Sequence, residues 1–375
     1  MTVQNHGTSL ANTNYMQFRN WLSIALFILT PLFHAIGAET DYFRQCADCS
    51  VTELDSFFND TSAPYEAFKL VHTKDARGAA VLFHGLSDSP YYMKDIAKLY
   101  FDNGYDVYVP LAKAHGNNPR WLESVGFQEW NRHAETIIDE VSQKYRDRIL
   151  VGGLSNGGLT SVVAALKPTV KRKIESLLLI SPALGLPGSA NFKFKIMSWI
   201  EYAKRLLNSN IINGYFRKLL ATKVKKNMCE GCTGEIRYSE LPLNGPLQLL
   251  KNTRNLLRYS KYGSIEIPTV MVLTSDDKTI SLDTSVKQFK TLFSGEKKLI
   301  WLQSGDKTAA VTPKGIPSDQ LIVIPTKDVL SHVLSIRDRG LAGPGEVNSA
   351  FDSMAEKIKS LLLNRGQNMC LSFYR

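Results

Sequence analysis

Ser155 is the residue whose neighbours most clearly indicate chemistry. Residues 153–157, Gly-Leu-Ser-Asn-Gly, have the G-x-S-x-G spacing of a nucleophile elbow, a sharp strand-to-helix turn with serine at its tip. The turn brings strand and helix too close for a β-carbon two residues on either side of the serine, which explains the glycines. An apolar run, 149–151, precedes the motif, and an Ala-rich apolar run follows it. These flanks favour a catalytic serine over a chance match of common residues.

A serine hydroxyl is a weak nucleophile, so it needs a base within hydrogen-bond reach and an acid that orients the base. Asp276 and Asp277 follow the apolar run 267–273, and each is a candidate for the acid. In the chain order Ser, Asp, His the base comes last, and of the seven histidines only His332 follows these aspartates. Because the stretch around His332 is largely apolar, the alternative is an ordinary buried histidine.

Acyl-transfer chemistry also needs backbone N–H groups that stabilise an oxyanion. The N–H of Asn156 comes with the elbow. We expect the N–H of Leu86, in the loop after the apolar run 79–83, to be the second donor. His84 lies in the same loop, and we expect it to shape the loop rather than to react.

The elements that must position these residues alternate along most of the chain. Strands are predicted at 67–72, 79–83, 105–111, 149–151, 176–180, 267–273, 298–302 and 320–324, and helices at 91–101, 127–144, 283–292 and from Gly345 to about 363. Residues 54–64 are predicted to be a lead-in with a turn. Strands alternating with helices imply a mostly parallel sheet with helices on both faces. Ligands of such sheets bind at the carboxyl ends of the strands, where His84 and Ser155 lie.

Residues 184–262 break this pattern. They are predicted to be helices that mix aromatic and basic residues, with fourteen Lys and Arg against four Asp and Glu, a net charge of +10. One interpretation is the solvated outer face of a helical insertion. The other is a cap over the site, drawn by its charge to an anionic membrane or an acidic substrate. Nucleic-acid binding is not expected, because no binding motif accompanies the charge.

The N-terminal region has the pattern of a secretory signal peptide. The uncharged run 21–33 follows Arg19, precedes small residues at 35, 37 and 38, and is too short to span a bilayer comfortably. We therefore predict a leader, residues 1–38, and an exported protein, periplasmic or secreted. Counted from Met16 rather than Met1, the leader has the usual length. The alternative is an uncleaved membrane anchor.

The five cysteines form two C-x-x-C pairs, Cys46 with Cys49 and Cys229 with Cys232, and leave Cys370 over. In an exported protein we expect disulfides, either within each pair or between the two pairs. The alternatives are a four-thiolate zinc site and free thiols. The overall composition, 44% apolar and 21% charged over 375 residues, is that of a globular protein, and it excludes a disordered or repetitive chain.

These features resemble the alpha/beta hydrolases, in the branch around the monoacylglycerol lipases and the bacterial carboxylesterases. The resemblance covers about residues 79–332. It is carried by His84-Gly85-Leu86-Ser87-Asp88-Ser89-Pro90-Tyr91, His115-Gly116, the elbow 153–157, Ser181-Pro182-Ala183, Ile267-Pro268-Thr269-Val270 and Asp277-Lys278-Thr279-Ile280.

The resemblance implies an alpha/beta-hydrolase fold whose core, residues 39–183 and 263–375, is interrupted by a helical lid, residues 184–262. In this branch the acid stands three residues before a β-branched residue. Asp277 with Ile280 fits that spacing, so Asp277 is preferred over Asp276. The implied activity is hydrolysis of carboxylic esters, such as a monoacylglycerol or lysophospholipid, through Ser155, His332 and Asp277. No metal or organic cofactor is required.

Three alternatives on the same fold stay open: a serine aminopeptidase, an acyltransferase and a non-catalytic binding protein. The chain also departs from the family pattern at two positions. Typical members place the histidine directly after the last strand, where this chain has Asp306, whereas His332 comes fifty-five residues after Asp277. The loop at His115 also lacks the usual Pro-Gly before His-Gly.

Overall fold

The computed structural model describes residues 42–62, 64–145, 149–188, 218–225, 236–260, 263–304, 312–338 and 348–364. The chain divides into two compact units, residues 1–42 and 43–375, and the elements below belong to the second unit. The strands are β1 (Arg44–Ala47), β2 (Phe68–Val71), β3 (Gly78–Phe83), β4 (Tyr105–Val109), β5 (Ile149–Leu154), β6 (Ile174–Ile180), β7 (Lys223–Lys225), β8 (Glu240–Pro242), β9 (Thr269–Thr274), β10 (Lys297–Ser304) and β11 (Leu321–Thr326). The α-helices are α1 (Val51–Asn59), α2 (Lys94–Phe101), α3 (Phe127–Tyr145), α4 (Asn156–Ala165), α5 (Pro168–Lys171), α6 (Asn244–Tyr259), α7 (Leu282–Leu292) and α8 (Phe351–Ile358).

One large sheet organises the described part of the chain. Its nine strands lie in the order β1-β2-β4-β3-β5-β6-β9-β10-β11. The pair β2 and β4 is antiparallel, and all other neighbours in the sheet are parallel. The sheet confirms the predicted α/β architecture. Strands β7 and β8 form a separate antiparallel pair.

Both faces of the sheet are buried. In β3, Ala80 and Leu82 pack in an apolar cluster with residues of α2 and α8. Val81 and Phe83, on the opposite face of β3, pack in a second cluster with residues of α3, α4 and α7. Because side chains on both faces must be apolar, the central strands are nearly continuous apolar runs.

The region before β2 differs from the prediction of an irregular lead-in. It contains β1 and α1, and α1 begins with a capping box in which Ser50 N donates to Glu53 Oε2 at 2.7 Å. The Ser50-x-x-Glu53 spacing was the sequence signal for this helix. A disulfide joins Cys46, in β1, to Cys49, just before α1, as expected for one of the two pairs. These two sulfurs are therefore not thiolate ligands for zinc.

Several predictions concern residues that the structure describes in part or not at all. Residues 184–262 are described at 184–188, 218–225 and 236–260, and these pieces contain helix α6 and the β7–β8 pair. The helical lid stays a prediction. The leader 1–38 and the cysteines Cys229, Cys232 and Cys370 lie outside the described residues. None of the described helices is long and apolar enough to cross a membrane.

A buried carboxylate fastens the outer part of the sheet. Asp106, in β4, is 2% exposed and accepts a hydrogen bond from the backbone N–H of His72 at 2.8 Å. The same oxygen lies 3.0 Å from His72 Nδ1, and the other oxygen accepts a hydrogen bond from the Tyr145 hydroxyl at the end of α3. Asp106 thus joins β4 to the end of β2 and to α3.

Replacing this carboxylate should destabilise the fold. In Asp106→Asn the negative charge that accepts these hydrogen bonds is lost, and hydrogen bonds to a charged acceptor are stronger than those to a neutral one. We expect the free energy of unfolding to fall by about 2 kcal/mol. Urea unfolding followed by circular dichroism measures the change. Asp352→Asn, at an exposed ion pair, is the control and should change stability by about 0.5 kcal/mol or less. An equal loss in both variants would contradict the role assigned to Asp106.

Candidate active site

Ser155 lies at the turn between β5 and α4 in a strained backbone conformation. Its φ is 54° and its ψ is −112°, a region that residues with a β-carbon rarely adopt. Three backbone hydrogen bonds hold the turn. Ser155 N donates to Ile180 O at the end of β6, and Ser155 O accepts from Leu159 N and Ala183 N, all at 3.0 Å. The serine is thus fixed at the carboxyl end of the sheet, as the elbow motif predicts.

The glycines around Ser155 are required by the close packing of backbone on backbone. A β-carbon on Gly157 would lie 2.1 Å from the carbonyl oxygen of Phe83, at the end of the neighbouring strand β3. A β-carbon on Gly153 would lie 2.4 Å from the carbonyl carbon of Gly157. Backbone atoms cannot move aside as the end of a flexible side chain can, so both positions must be glycine.

The predicted acid and the predicted base are in contact. His332 Nδ1 lies 2.6 Å from Asp277 Oδ2, and both residues are buried. The other oxygen, Oδ1, accepts hydrogen bonds from Thr279 N at 2.8 Å and Ile280 N at 3.3 Å. A carboxylate held in this way accepts a hydrogen bond from Nδ1–H, which selects the imidazole tautomer that has its lone pair on Nε2. Among the described residues, Nε2 has no hydrogen-bond partner, so this atom can accept a proton.

The added segment before His332 contains an extra strand. β11 pairs with β10 in parallel, at the edge of the sheet, and accounts for part of the fifty-five residues between Asp277 and His332. Two contacts then fix the loop that carries the histidine. Ser335 Oγ donates to Tyr92 O at 2.5 Å, and Arg337 N donates to Asp95 Oδ2 at 2.7 Å. Asp306, where the family pattern would place the histidine, lies outside the described residues.

His84 orients the peptide that carries the predicted oxyanion donor. Ala112 N donates to His84 Nε2 at 3.0 Å, so the ring proton is on Nδ1, which lies 2.8 Å from Gly85 O. In a trans peptide the carbonyl of Gly85 and the N–H of Leu86 point in opposite directions. Fixing the carbonyl therefore fixes the Leu86 N–H. A β-carbon on Gly85 would lie 3.5 Å from Ser155 Cβ, which places this peptide beside the serine.

The second predicted donor has no competing acceptor within its own helix. Asn156 is the first residue of α4, and the first N–H groups of a helix have no intrahelical partner. Its N–H is therefore available at the elbow. The structure brings the Leu86 loop against the serine and brings His332 onto Asp277.

His115 supports the same loop from behind. Its Nε2 lies 2.8 Å from Leu86 O, and its ring is buried between Trp130 and Tyr238. The preceding residue, Ala114, has φ 64°, a left-handed conformation that favours glycine. Ala114 occupies the position where the family pattern has glycine. Ala114 therefore adopts a conformation that the family's glycine would reach without strain.

Sequence reasoning missed a buried ion pair beside the site. Arg237, which we counted among the basic residues of the inserted segment, is 2% exposed, and its Nε lies 3.0 Å from Asp88 Oδ1. Asp88 belongs to the Leu86 loop and is also buried. No sequence signal separates Arg237 from the other cations of residues 184–262. In the described part of the chain, no group of three or more His, Cys, Asp and Glu side chains is placed to hold a metal ion.

The strand order and the strained serine between β5 and α4 define an alpha/beta hydrolase. The chain belongs to the serine aminopeptidase S33 family, whose model matches residues 74–305. The matched range includes the elbow and Asp277 and ends before His332. The resemblance found in the sequence is confirmed, and so is the predicted class of enzyme, a serine hydrolase.

Similar proteins include two monoacylglycerol lipases and a lipolytic enzyme. The thermostable monoacylglycerol lipase of Bacillus sp. (strain H-257) is 22% identical over 232 residues, which are 62% of this chain and 83% of the relative. A structure from work on LipS and LipT, two metagenome-derived lipolytic enzymes, aligns with a TM-score of 0.54 and 15% identity over 79% of this chain and 96% of that chain. The monoacylglycerol lipase of Paleococcus ferrophilus aligns with a TM-score of 0.52 and 17% identity over 80% of this chain and 98% of that chain. At these identities the structures establish a shared fold.

The two histidines of the site should make stability depend on pH. Burial, together with the neighbouring His115, lowers the pKa of His84 to about 3, and burial also lowers the pKa of His115. An unfolded histidine has a pKa of about 6.5. Below that pH the unfolded chain binds protons that the folded chain does not, so the free energy of unfolding falls as pH falls from about 6.5 toward 3.

His84→Asn should make this dependence shallower. Asparagine keeps a donor for Gly85 O and does not titrate, so one fewer proton separates the folded and unfolded states. The slope should decrease by about 1.4 kcal/mol per pH unit between pH 6 and 4. Urea unfolding at several pH values measures it. His133→Asn, at a partly exposed histidine of α3, is the control. An unchanged slope in His84→Asn would show that His84 is protonated in the folded protein.

Proposed function

We propose that this protein is an exported serine hydrolase that cleaves carboxylic esters through an acyl-enzyme. The observation that carries the proposal is the 2.6 Å contact between His332 Nδ1 and Asp277 Oδ2, which joins residues fifty-five positions apart. In a chain with a strained elbow serine, an imidazole oriented by a buried carboxylate is the group that activates the hydroxyl.

The proposed reaction has two halves. Ser155 Oγ attacks the ester carbonyl carbon while His332 Nε2 takes the hydroxyl proton, and the N–H groups of Leu86 and Asn156 stabilise the oxyanion. The intermediate then expels the alcohol, which receives the proton from Nε2, and leaves an acyl group on Ser155. Water clears this acyl-enzyme with help from the same imidazole. Asp277 keeps Nδ1 protonated and stabilises the imidazolium that forms in each half.

Two observations favour an ester over a peptide as substrate. The Bacillus relative is named for hydrolysis of monoacylglycerol, an ester with one acyl chain. An aminopeptidase also needs an acidic group that holds the ammonium of its substrate. Asp88 is the acidic residue of the oxyanion loop, and it is buried and paired with Arg237. The family's description favours aminopeptidase activity as the second candidate. We propose a lipid ester, such as a monoacylglycerol or lysophospholipid.

Active-site labelling tests the three catalytic residues. A fluorophosphonate probe should label the wild-type enzyme and should not label Ser155→Ala. His332→Ala and Asp277→Asn should lower kcat for p-nitrophenyl esters by about 10³- to 10⁴-fold, because the first lacks the base and the second holds the wrong tautomer. His133→Ala is the matched control and should keep wild-type turnover. Labelling of Ser155→Ala, or full turnover by His332→Ala, would overturn the assignment.

A substrate series tests the choice of bond. We expect kcat/KM for p-nitrophenyl esters to rise with acyl-chain length from acetate, because each added methylene that is buried in an apolar site increases binding. Aminoacyl p-nitroanilides should be cleaved at least about 100-fold more slowly, since the acidic residue of the oxyanion loop, Asp88, is paired with Arg237 and the inserted segment 184–262 is basic. Faster cleavage of the anilides would identify an aminopeptidase instead.

The proposal of export rests on the apolar run 21–33 and agrees with the Cys46–Cys49 disulfide. Expressed from its natural start, the protein should be recovered outside the cytoplasm with an N-terminus near residue 39. Cell fractionation and mass spectrometry of the mature chain measure both. A chain that retains residues 1–38 in the membrane fraction would indicate an uncleaved anchor.

The proposed contact of residues 184–262 with anionic lipid predicts that the protein co-sediments with phosphatidylglycerol vesicles and does not co-sediment with phosphatidylcholine vesicles.

A further inference from the structure

The Arg237–Asp88 pair is an unusual feature for the interior of a protein. Both side chains are almost completely buried, and the Nε to Oδ1 distance is 3.0 Å. The guanidinium also lies over the ring of Tyr92, 5.2 Å from its centroid. Removing two charges from water costs about as much as their attraction returns, so such a pair contributes little net stability. Its position therefore suggests a role beyond folding.

Asp88 lies directly behind the peptide that carries an oxyanion donor. The position of a β-carbon on Gly85 is 2.2 Å from Asp88 Oδ2 and 3.5 Å from Ser155 Cβ. The carboxylate is therefore no farther from Ser155 Cβ than the sum of these two distances. An oxyanion formed on a substrate at Ser155, which is 6% exposed, would develop near this negative charge.

An uncompensated carboxylate at this distance would oppose the reaction. Two negative charges about 6 Å apart, at an effective dielectric constant of about 20, repel each other enough to slow a reaction by about 100-fold. Arg237 supplies the opposite charge in contact with Asp88, and the pair as a whole is neutral. The oxyanion then meets the Leu86 N–H without a competing negative charge behind it.

Arg237 belongs to a short strap, residues 236–238, that also holds the loop in place. Tyr238 N donates to Ser87 O at 2.9 Å, and the Tyr238 hydroxyl donates to Gly116 O at 2.8 Å. The Tyr238 ring stacks on His115, whose Nε2 lies 2.8 Å from Leu86 O. The strap thus contacts Ser87 and Asp88 directly, and it contacts Leu86 through the side chain of His115.

We propose that Arg237 is a positioning residue of the catalytic site, which neutralises Asp88 and holds the oxyanion loop in its active geometry. This inference rests on the proposed function, because it assumes that an oxyanion forms at Ser155. It also gives residues 236–238 of the inserted segment a task in catalysis, separate from any contact of that segment with membrane. Formation of the oxyanion requires that the Asp88 carboxylate be neutral or paired with a cation, and Arg237 is that cation.

A set of charge variants tests this role. Arg237→Met leaves Asp88 uncompensated and should lower kcat for a short p-nitrophenyl ester by about 10- to 100-fold, with KM changed by less than about 3-fold. Arg237→Lys keeps the charge and should stay within about 5-fold of the wild-type kcat. The double variant Asp88→Asn/Arg237→Met removes both charges and should recover kcat to within about 5-fold. Arg44→Met, at an Asp60 pair that also lies over an aromatic ring, is the control.

A pH profile separates the electrostatic role from a structural one. Burial of a carboxyl without an opposite charge beside it raises its pKa, so Asp88 in Arg237→Met should become neutral as the pH is lowered. The ratio of variant to wild-type kcat should therefore rise as pH falls. A ratio that is independent of pH, together with a double variant no faster than Arg237→Met, would overturn the proposal. If Arg237→Met does not fold, Arg237→Lys and the double variant decide it, since a loss above 100-fold in both would contradict the charge argument.

The rate of fluorophosphonate labelling distinguishes this inference from the proposed function. Attack of Ser155 on phosphorus places a negatively charged oxygen at the oxyanion site, whichever natural substrate the enzyme has. Labelling should be about 10- to 100-fold slower in Arg237→Met than in the wild type. A wild type that is labelled but hydrolyses no ester would refute the proposed substrate and leave Arg237 testable. Equal labelling rates with normal ester turnover would refute only the role of Arg237.

Discussion

The close approach of three backbone segments at the carboxyl end of the sheet is the constraint on which the site depends. The end of β3, the end of β5 and the first turn of α4 meet at a distance that admits no β-carbon at Gly157. This contact forces the positive φ of Ser155 and so turns its side chain out of the strand. It also sets the Leu86 loop, which continues directly from β3, beside the serine. The cost of the strained serine, about 1–3 kcal/mol, is offset by the buried apolar faces of the same strands.

The other half of the site, Asp277 and His332, follows strands β9 and β11 and is positioned by hydrogen bonds within turns and loops. Asp277 follows β9 and is held by two backbone N–H groups of its own turn. His332 follows the edge strand β11 and is positioned by loop contacts instead of by strand pairing. The contacts that position His332 are made by residues that follow β11. An added strand between the acid and the base is therefore compatible with the contact between His332 and Asp277. The length of the intervening chain is therefore a poor guide to the geometry of this site.

The sequence predicted those parts of the structure that depend on local patterns. Apolar runs located the strands β2 to β6 and β9 to β11 of the large sheet, and the glycine spacing around Ser155 located the elbow. The short strands β7 and β8, in a segment expected to be helical, were not predicted. The order of residue types selected His332, which contacts Asp277 in the structure. The prediction of an irregular lead-in before β2 was wrong, because the capping residues Ser50 and Glu53 were overlooked. The Arg237–Asp88 pair could not be predicted, because it depends on the path of a segment 150 residues away in the sequence.

The contacts of the His332 loop have a further consequence. Ser335 and Arg337 bind to Tyr92 and Asp95, residues that begin where the oxyanion loop ends. The His332 loop and the Leu86 loop are therefore both held by one common support, the segment that contains Tyr92 and Asp95. Ser155 belongs to a different segment, the turn between β5 and α4. Any displacement of that support changes the base-to-serine and the donor-to-oxyanion distances together. Because both distances affect the rate, the two losses multiply. A small repacking near Tyr92 would therefore lower activity more than its effect on stability suggests.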